Sequence, residues 1–399
     1  MDKDNLKSEA IRILKANDRA GYTVPSARLY PHQWAWDSAF CALGWQTNDP
    51  DRALRELEIL MQGQWPDGRV PHIRFHDLSG TYFPGPSFWG TKDSSSISQP
   101  PVWASVARRM LERGADRQRI SALVRPFERS HQWFHEQRDP KAWNLVAVSH
   151  PWESGMDNSP AWDEPLKSVD PTRAPAFKRV DKAIVGDAAQ RPTDDQYQRY
   201  AALVKEIIDN NFGPSSFLVY DPFMTAVLAQ ADEDLGWMCQ QLGLEDKRSG
   251  WSRLYRDGLV EHLWSADKER FLFYDATNEQ PLDCEVLSAY LPLMLDLPEA
   301  IAGPCAHALD TRYQAPWVLP TVPLGNTQFD AVRYWRGPVW ANTNWLLRHR
   351  RPQLVDRTLE LVAHSGFREY FEPRTGRGLG ATDFSWTAAL VLDLLAGQR

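Results

Sequence analysis

Asp49-Pro50-Asp51-Arg52-Ala53-Leu54-Arg55-Glu56-Leu57-Glu58-Ile59-Leu60-Met61 has the pattern of one amphipathic helix with a marked start. Leu54, Leu57, Leu60 and Met61 recur at helical spacing. Asp49 followed by Pro50 is a start signal, because a carboxylate accepts first-turn N–H groups and proline gives up a donor that has no partner there anyway. The adjoining segment differs in kind: Gly63 to Ser98 is a long run rich in Gly, Pro, Trp and Tyr. The alternation recurs along the chain. Leu6, Ala10, Ile13 and Leu14 mark a first helix, and Thr193 with Gln196 forms a capping box ahead of another. The periodicity predicts helices near 3–16, 33–46, 50–62, 100–113, 118–136, 194–209, 222–243, 247–263, 284–294, 299–309, 337–349, 352–365 and 384–397. Further long loops run from Asn144 to Pro192, Pro316 to Gly337 and Phe367 to Asp383. Helices alternating with long loops in a closed ring gather those loops on one face, which makes an all-α toroid the expected fold. One local β signal, Glu269 to Tyr274 followed by Asp275-Ala276-Thr277-Asn278, reads as a small hairpin. With no linker or repeat, 1–399 reads as a single domain, and 144–192 is a candidate lid or cap insertion.

Composition narrows the function. Eighteen Trp with 12 Tyr and 16 Phe exceed what packing ordinarily requires, and aromatic faces are where the C–H faces of sugar rings stack. A net charge of −7 without a long Lys/Arg run argues against nucleic acid. No run of about 20 apolar residues is present and the N-terminus lacks an apolar core, so the expectation is a cytoplasmic chain with no membrane partner. Cys41, Cys239, Cys284 and Cys305 are scattered and predict neither disulfides nor a thiolate zinc site. His72 and His76 lie four apart, but they follow Pro71 in a loop without the glutamate of a helical zinc motif; no metal and no cofactor are expected.

Glycoside hydrolysis needs one protonated carboxyl and one ionised one. Two loops offer them. His150-Pro151-Trp152-Glu153-Ser154-Gly155-Met156-Asp157-Asn158-Ser159-Pro160 presents Glu153 or Asp157, and Phe367-Arg368-Glu369-Tyr370-Phe371-Glu372-Pro373 presents Glu369 or Glu372. Spacing alone does not choose between the members of either pair.

These segments carry a resemblance. Glu153 to Pro160 resembles the acid-bearing turn of glycoside hydrolase family 63, whose members are inverting α-glycosidases built on (α/α)6 barrels. Tyr30-Pro-His-Gln-Trp-Ala-Trp36-Asp37-Ser38 is similar to the family's early sugar-binding segment. Tyr334-Trp335-Arg336-Gly337-Pro338-Val339-Trp340 and Glu369-Tyr370-Phe371, continuing to Phe384-Ser385-Trp386-Thr387, are similar to its later segments in the same order. The resemblance implies an (α/α)6 barrel capped by long loops, with Asp157 as general acid and Glu369 as general base. Asp157 should then have a raised pKa and Glu369 stay ionised, with the two carboxyls roughly 6.5–9.5 Å apart to admit water. Tyr30, Trp36, Asp37, Tyr334, Trp335, Arg336, Trp340 and Trp386 are the candidate sugar-binding residues.

Short members of that family hydrolyse glucosylglycerate or mannosylglycerate, and the resemblance extends to Arg191, Tyr197, Tyr82 and Gln99 as candidates for holding glycerate. Arg191-Pro192-Thr193 also sits just ahead of a capped helix, where a guanidinium and free N–H groups suit a carboxylate. The expected partner is a small carbohydrate; the sequence leaves the oligomeric state open. An α-glucosidase acting on a neutral disaccharide is one alternative. A sugar isomerase or epimerase, drawing on His32, His72, His76 and His150, is another. A non-catalytic helical scaffold would need a repeat period, and none is found.

Overall fold

The computed structural model describes residues 1–78 and 82–397; part of the predicted loop Gly63 to Ser98, residues 79–81, lies outside the described residues. Two helices show why a ring forms. In Ala35–Trp45 every residue is buried, and Ser385–Ala396 (SWTAALVLDLLA) is buried over its first ten positions. Helices apolar all round must sit inside other helices. By contrast, Pro50–Gln62 buries Ala53, Leu54, Leu57, Leu60 and Met61 on one face, and the Asp49 side chain accepts the Arg52 N–H at 3.0 Å as the start signal predicted. An amphipathic helix of this kind belongs outside.

The inner ring runs through Ala35–Trp45, Trp103–Glu112, Pro222–Leu242, the two 3-10 turns Leu287–Ala289 and Leu291–Met294, Ala341–Leu346 and Ser385–Ala396. Each packs against the next, and the last closes on the first. Around them lie Lys3–Asn17, Pro50–Gln62, Arg117–Gln137, Trp251–Gly258, Glu299–Arg312 and Gln353–Ser365. Outer and inner elements alternate along the chain, giving the (α/α)6 barrel. Every long loop lies within an outer-to-inner connection, with the additional helix Asp194–Asp209 standing between the 144–192 segment and Pro222–Leu242, so all of them emerge at the same end.

Three segments differ from the sequence reading. The predicted helix 284–294 is a pair of 3-10 turns, because Pro292 lacks an N–H and constrains the residue before it. The predicted helix 247–263 is α-helical only over Trp251–Gly258 and ends in a π turn. The predicted loop Phe367 to Asp383 contains a β-hairpin, Arg368–Phe371 paired with Gly378–Thr382, with a register shift between Leu379 and Thr382. The expected hairpin near 269–278 is present as Phe273–Asp275 against Gln280–Leu282. It extends into a four-stranded sheet with Val219–Tyr220 and Ala147–Val148. The four cysteines are buried and unpaired. Among the described residues no helix is long and apolar enough to cross a membrane.

Ring closure depends on close backbone approach. A Cβ built on Gly44 would lie 2.5 Å from Ala389 Cα and 2.6 Å from Ala389 Cβ, distances that only displacement of a whole helix relieves. Gly44→Val is therefore expected to cost about 1–3 kcal/mol of stability, at the level of an overpacked core. Urea unfolding of the purified variant measures it, and an unchanged midpoint would contradict this account of closure.

Candidate active site

The acid-bearing turn is built by local chemistry. Pro151 opens a 3-10 turn over Pro151–Ser154, His150 Nδ1 accepts the Trp152 N–H at 3.0 Å, and Gly155 ends the turn in the left-handed region at φ 69°. Glu153 is turned inward, away from the site. It pairs with the buried Arg138 at 2.7 and 3.2 Å and accepts the Ser149 N–H at 2.7 Å, an anchor that removes it from the two candidates in this loop. Asp157 is aimed into a pocket at the loop-bearing end of the barrel. Its carbonyl accepts the Tyr200 hydroxyl at 2.7 Å, and the neighbouring Met156 carbonyl accepts the Trp162 indole N–H at 2.9 Å.

Glu369 sits on the strand Arg368–Phe371 and is 1 % exposed, facing the same pocket. Its Oε1 accepts the Tyr30 hydroxyl at 2.8 Å and lies 3.7 Å from Arg191 Nη1, while its Oε2 accepts the Ala381 N–H at 2.9 Å. Glu372 instead closes the hairpin turn, accepting from Arg374 N, Thr375 N and Thr375 Oγ1, and is held below the usual carboxylate range despite partial burial. The tertiary structure thus separates both pairs that spacing left open.

The two pocket carboxyls have different surroundings. Burial pushes Asp157 up to about 7 against the pull of Arg191, with the charges of Glu369 and Asp181 adding to the rise. Burial also raises Glu369, but Arg191, the Ala381 N–H and the Tyr30 and Tyr334 hydroxyls all oppose it. Asp37, on the first turn of Ala35–Trp45, is pushed well above the ordinary range by burial and then by Glu369. Arg191 is buried between these acids. Its Nε donates to Asp181 at 3.1 Å, its Nη1 donates to the Tyr30 hydroxyl at 2.9 Å, and it lies 4.3 Å over the Tyr334 ring. Arg179 also pairs with Asp181, at 2.7 Å, and the two arginines hold that carboxyl down at about 2.

Aromatic residues complete the walls. Trp36 meets Trp386 edge-on at 5.2 Å and Trp335 at 6.3 Å, and all three line the pocket. Among the described residues, no group of three or more His, Cys, Asp or Glu is placed to hold a metal. A buried pocket lined with carboxyls and indoles is what a small glycoside requires.

Residues 30–387 match the model of the mannosylglycerate hydrolase MGH1-like glycoside hydrolase domain. The chain belongs to this glycoside hydrolase family. It is 38% identical to the mannosylglycerate hydrolase of Thermus thermophilus, over 96% of this chain and 99% of that one. It is 33% identical to the glucosylglycerate hydrolase of Mycolicibacterium hassiacum, over 98% and 97% of the two chains. The crystal structure of a family 63 mannosylglycerate hydrolase from Thermus thermophilus in complex with Tris and D-glycerate superposes with a TM-score of 0.94 at 37% identity, covering 99% of this chain and 100% of that one.

Within this glycoside hydrolase, the pocket gathers Tyr30, Trp36, Asp37, Tyr82, Gln99, Asp157, Arg191, Tyr197, Tyr334, Trp335, Glu369 and Trp386. Two predicted sugar-binding residues lie outside its lining. Arg336 turns away to a bidentate pair with Asp163, both contacts at 2.7 Å, and Trp340 stacks behind Trp335 at 3.8 Å between ring centres. The reading of the residues also missed Asp181, Trp34 and Phe83, which line the pocket. Asp181 stands in a segment without periodicity, and its only local signal was the nearby arginines. Of His32, His72, His76 and His150, only His72 lines this pocket, with its Nδ1 2.6 Å from Ser95 Oγ. The converging histidine pair that an isomerase would use is not among the lining residues.

The raised Asp157 carboxyl couples stability to pH. Its folded value of about 7 exceeds the ordinary 3.8, so the stabilisation from the neutral acid is fully present below about pH 4 and is lost as pH rises through about 7. Asp157→Asn should therefore be more stable than the parent at alkaline pH, by on the order of 4 kcal/mol, with the difference disappearing near pH 4. Thermal unfolding of both proteins between about pH 4 and pH 9 is the measurement; a difference independent of pH would exclude the effect.

Proposed function

We propose that this glycoside hydrolase splits a small α-glycoside of glycerate, mannosylglycerate or glucosylglycerate, into free sugar and glycerate, with inversion at the anomeric carbon. The observation that carries the reading is one pocket in which Asp157 titrates near 7 while Glu369 receives hydrogen bonds from Tyr30 and Ala381 beside Arg191. One carboxyl can hold a proton at neutral pH; the other is raised by burial as well, but a guanidinium, a backbone N–H and two hydroxyls oppose that rise and favour its anion, the division of labour that glycoside hydrolysis demands.

In this reading Asp157 donates its proton to the glycosidic oxygen as the bond to the anomeric carbon breaks. Glu369 takes a proton from water, whose oxygen attacks from the opposite face. Each carboxyl ends the cycle in the other's starting protonation state, and proton exchange with solvent resets them. Trp36, Trp335 and Trp386 stack on the sugar, and Asp37, Tyr30 and Tyr334 receive its hydroxyls. Arg191, Tyr197, Tyr82 and Gln99 hold the glycerate. Support for the glycerate end comes from the relatives' substrates and from these four residues sharing the pocket with the acids. Residues 144–192 act as a cap, supplying Trp152, Asp157, Asp181 and Arg191 to the lining. Four unpaired buried thiols suit a reducing, cytoplasmic setting.

The first test is release of sugar and glycerate from purified mannosylglycerate and glucosylglycerate, with trehalose as the neutral comparison and the new anomer followed by NMR. The β-anomer should appear first from a glycerate compound; a first-formed α-anomer would rule out inversion, and turnover of trehalose alone would rule out glycerate. Asp157→Asn and Glu369→Gln should each lower kcat by on the order of 10² to 10⁴ with the fold retained. In the parent enzyme, kcat should fall as pH rises through about 7, where Asp157 loses its proton.

Gly380 offers an indirect probe of Glu369. At φ 63° a built Cβ would lie 2.3 Å from Glu369 Oε2 and 2.6 Å from Tyr370 Cε1, so Gly380→Ala must displace the carboxylate. We expect kcat to drop by about tenfold or more, since small misplacements of a reacting group are costly. Unchanged turnover in a folded variant would count against Glu369 as the base.

A further inference from the structure

A second cavity, of about 330 Å³, lies beside the C-terminal turns of the inner helices Trp103–Glu112 and Ala341–Leu346. It is separate from the active site. Asp393, which anchors its charge cluster, lies seven residues beyond Trp386 on one helix, roughly 10 Å along the axis. Val106, Val227 and Leu346 contribute an apolar floor, and Arg108, Arg109 and Arg348 line the cavity.

Among the described residues, the charges in this cluster do not balance. Arg108 has two carboxylates, Glu112 at 3.0 Å and Asp234 at 2.7 Å. Arg109 and Arg113 share a single oxygen of Asp393, at 2.8 and 2.7 Å, while its other oxygen accepts the Trp345 indole N–H at 2.7 Å. Among the described residues, Arg348 has no carboxylate within ion-pair distance. Its Nη1 donates to the Trp345 carbonyl at 2.8 Å and its guanidinium lies 3.6 Å over the Trp345 ring. Among the described residues its buried Nε–H has no acceptor, and Arg113 Nη1 is in the same state. Among the described residues the cluster thus holds four guanidiniums and three carboxylates, of which Glu112 and Asp234 line the cavity, and two of its guanidinium donors are buried without an acceptor. Burial pushes Arg348 down to about 9 against the pull of Asp393 and, more weakly, Asp234, with the charges of Arg109 and Arg113 adding to the fall. Negative helix ends offset part of the excess charge, but they do not supply an acceptor to the buried Nε–H.

We propose that this cavity binds a phosphate oxyanion, free or carried on a small organic molecule, with Arg348 as its principal ligand. A guanidinium presents a planar fork of donors matched to phosphate oxygens, and a multivalent anion satisfies donors arriving from more than one arginine. The apolar floor leaves room for a carbon skeleton.

The test is calorimetry and thermal unfolding of the full-length protein with inorganic phosphate, using chloride at equal ionic strength as control. One phosphate site and a rise in unfolding temperature specific to phosphate are expected. Arg348→Met should weaken that site at least about tenfold while leaving the KM for the glycoside unchanged, because the side chain lies outside the active-site pocket. Arg348→Lys keeps the charge but loses the fork and the Nε–H, and should weaken it at least about fivefold; this variant carries the comparison if the methionine protein does not fold. No phosphate-specific effect in the parent, or an affinity unchanged in either variant, overturns the proposal. Competition of phosphate with the glycoside that survives Arg348→Met would place the anion in the active site instead and overturn it equally.

Discussion

Closure of the inner ring sets where the loops, and with them the pocket, must lie. Ala35–Trp45 and Ser385–Ala396 come from near the two ends of the chain, yet they pack so tightly that Gly44 has no room for a side chain against Ala389. Joining them brings Trp36 and Asp37 to Trp386. Because outer and inner elements alternate, every outer-to-inner connection opens at one end, and that end receives all four aromatic loops. The location of the pocket is therefore a consequence of topology, and its chemistry is a consequence of which residues those connections carry.

Within the pocket, Arg191 organises the electrostatics. One buried guanidinium binds Asp181, touches Tyr30 and faces Glu369, and its charge opposes the burial that would otherwise neutralise the neighbouring carboxyls. Asp157 has no comparable set of donors and rises to about 7. Burial in one cavity raises both acids, and Glu369 has more donors opposing that rise than Asp157 has.

The loops that supply these groups are locked to one another. Tyr370 donates to the Gln190 carbonyl at 2.7 Å and Gly380 N–H donates to Gln190 Oε1 at 3.0 Å, joining the 144–192 segment to the hairpin that carries Glu369. Asn158 Oδ1 accepts the Trp335 N–H at 2.9 Å, and Arg336 holds Asp163. Arg336 and Trp340 thus support the pocket from behind: one fixes the acid-bearing turn and the other backs the Trp335 ring.

Much of this was legible in the linear chain. Helical periodicity, the Asp49-Pro50 start and the Thr193 capping box are local effects, set by 3.6-residue spacing and by orphan N–H groups within one turn, and the structure contains them. The alternation of helix with aromatic loop was enough to expect a toroid. Spacing could not choose Asp157 over Glu153, or Glu369 over Glu372, because each choice rests on a partner distant in sequence or on a turn whose folding decides where a side chain points. Arg138 captures Glu153, the hairpin turn captures Glu372, and Asp163 captures Arg336. Local chemistry along the chain set most of the helices and the side chains that the loops carry, while the hairpin Arg368–Phe371 with Gly378–Thr382 was not legible in it. Only the tertiary structure decided which carboxyls meet in one desolvated space, because burial and long-range pairing exist only once the ring has closed.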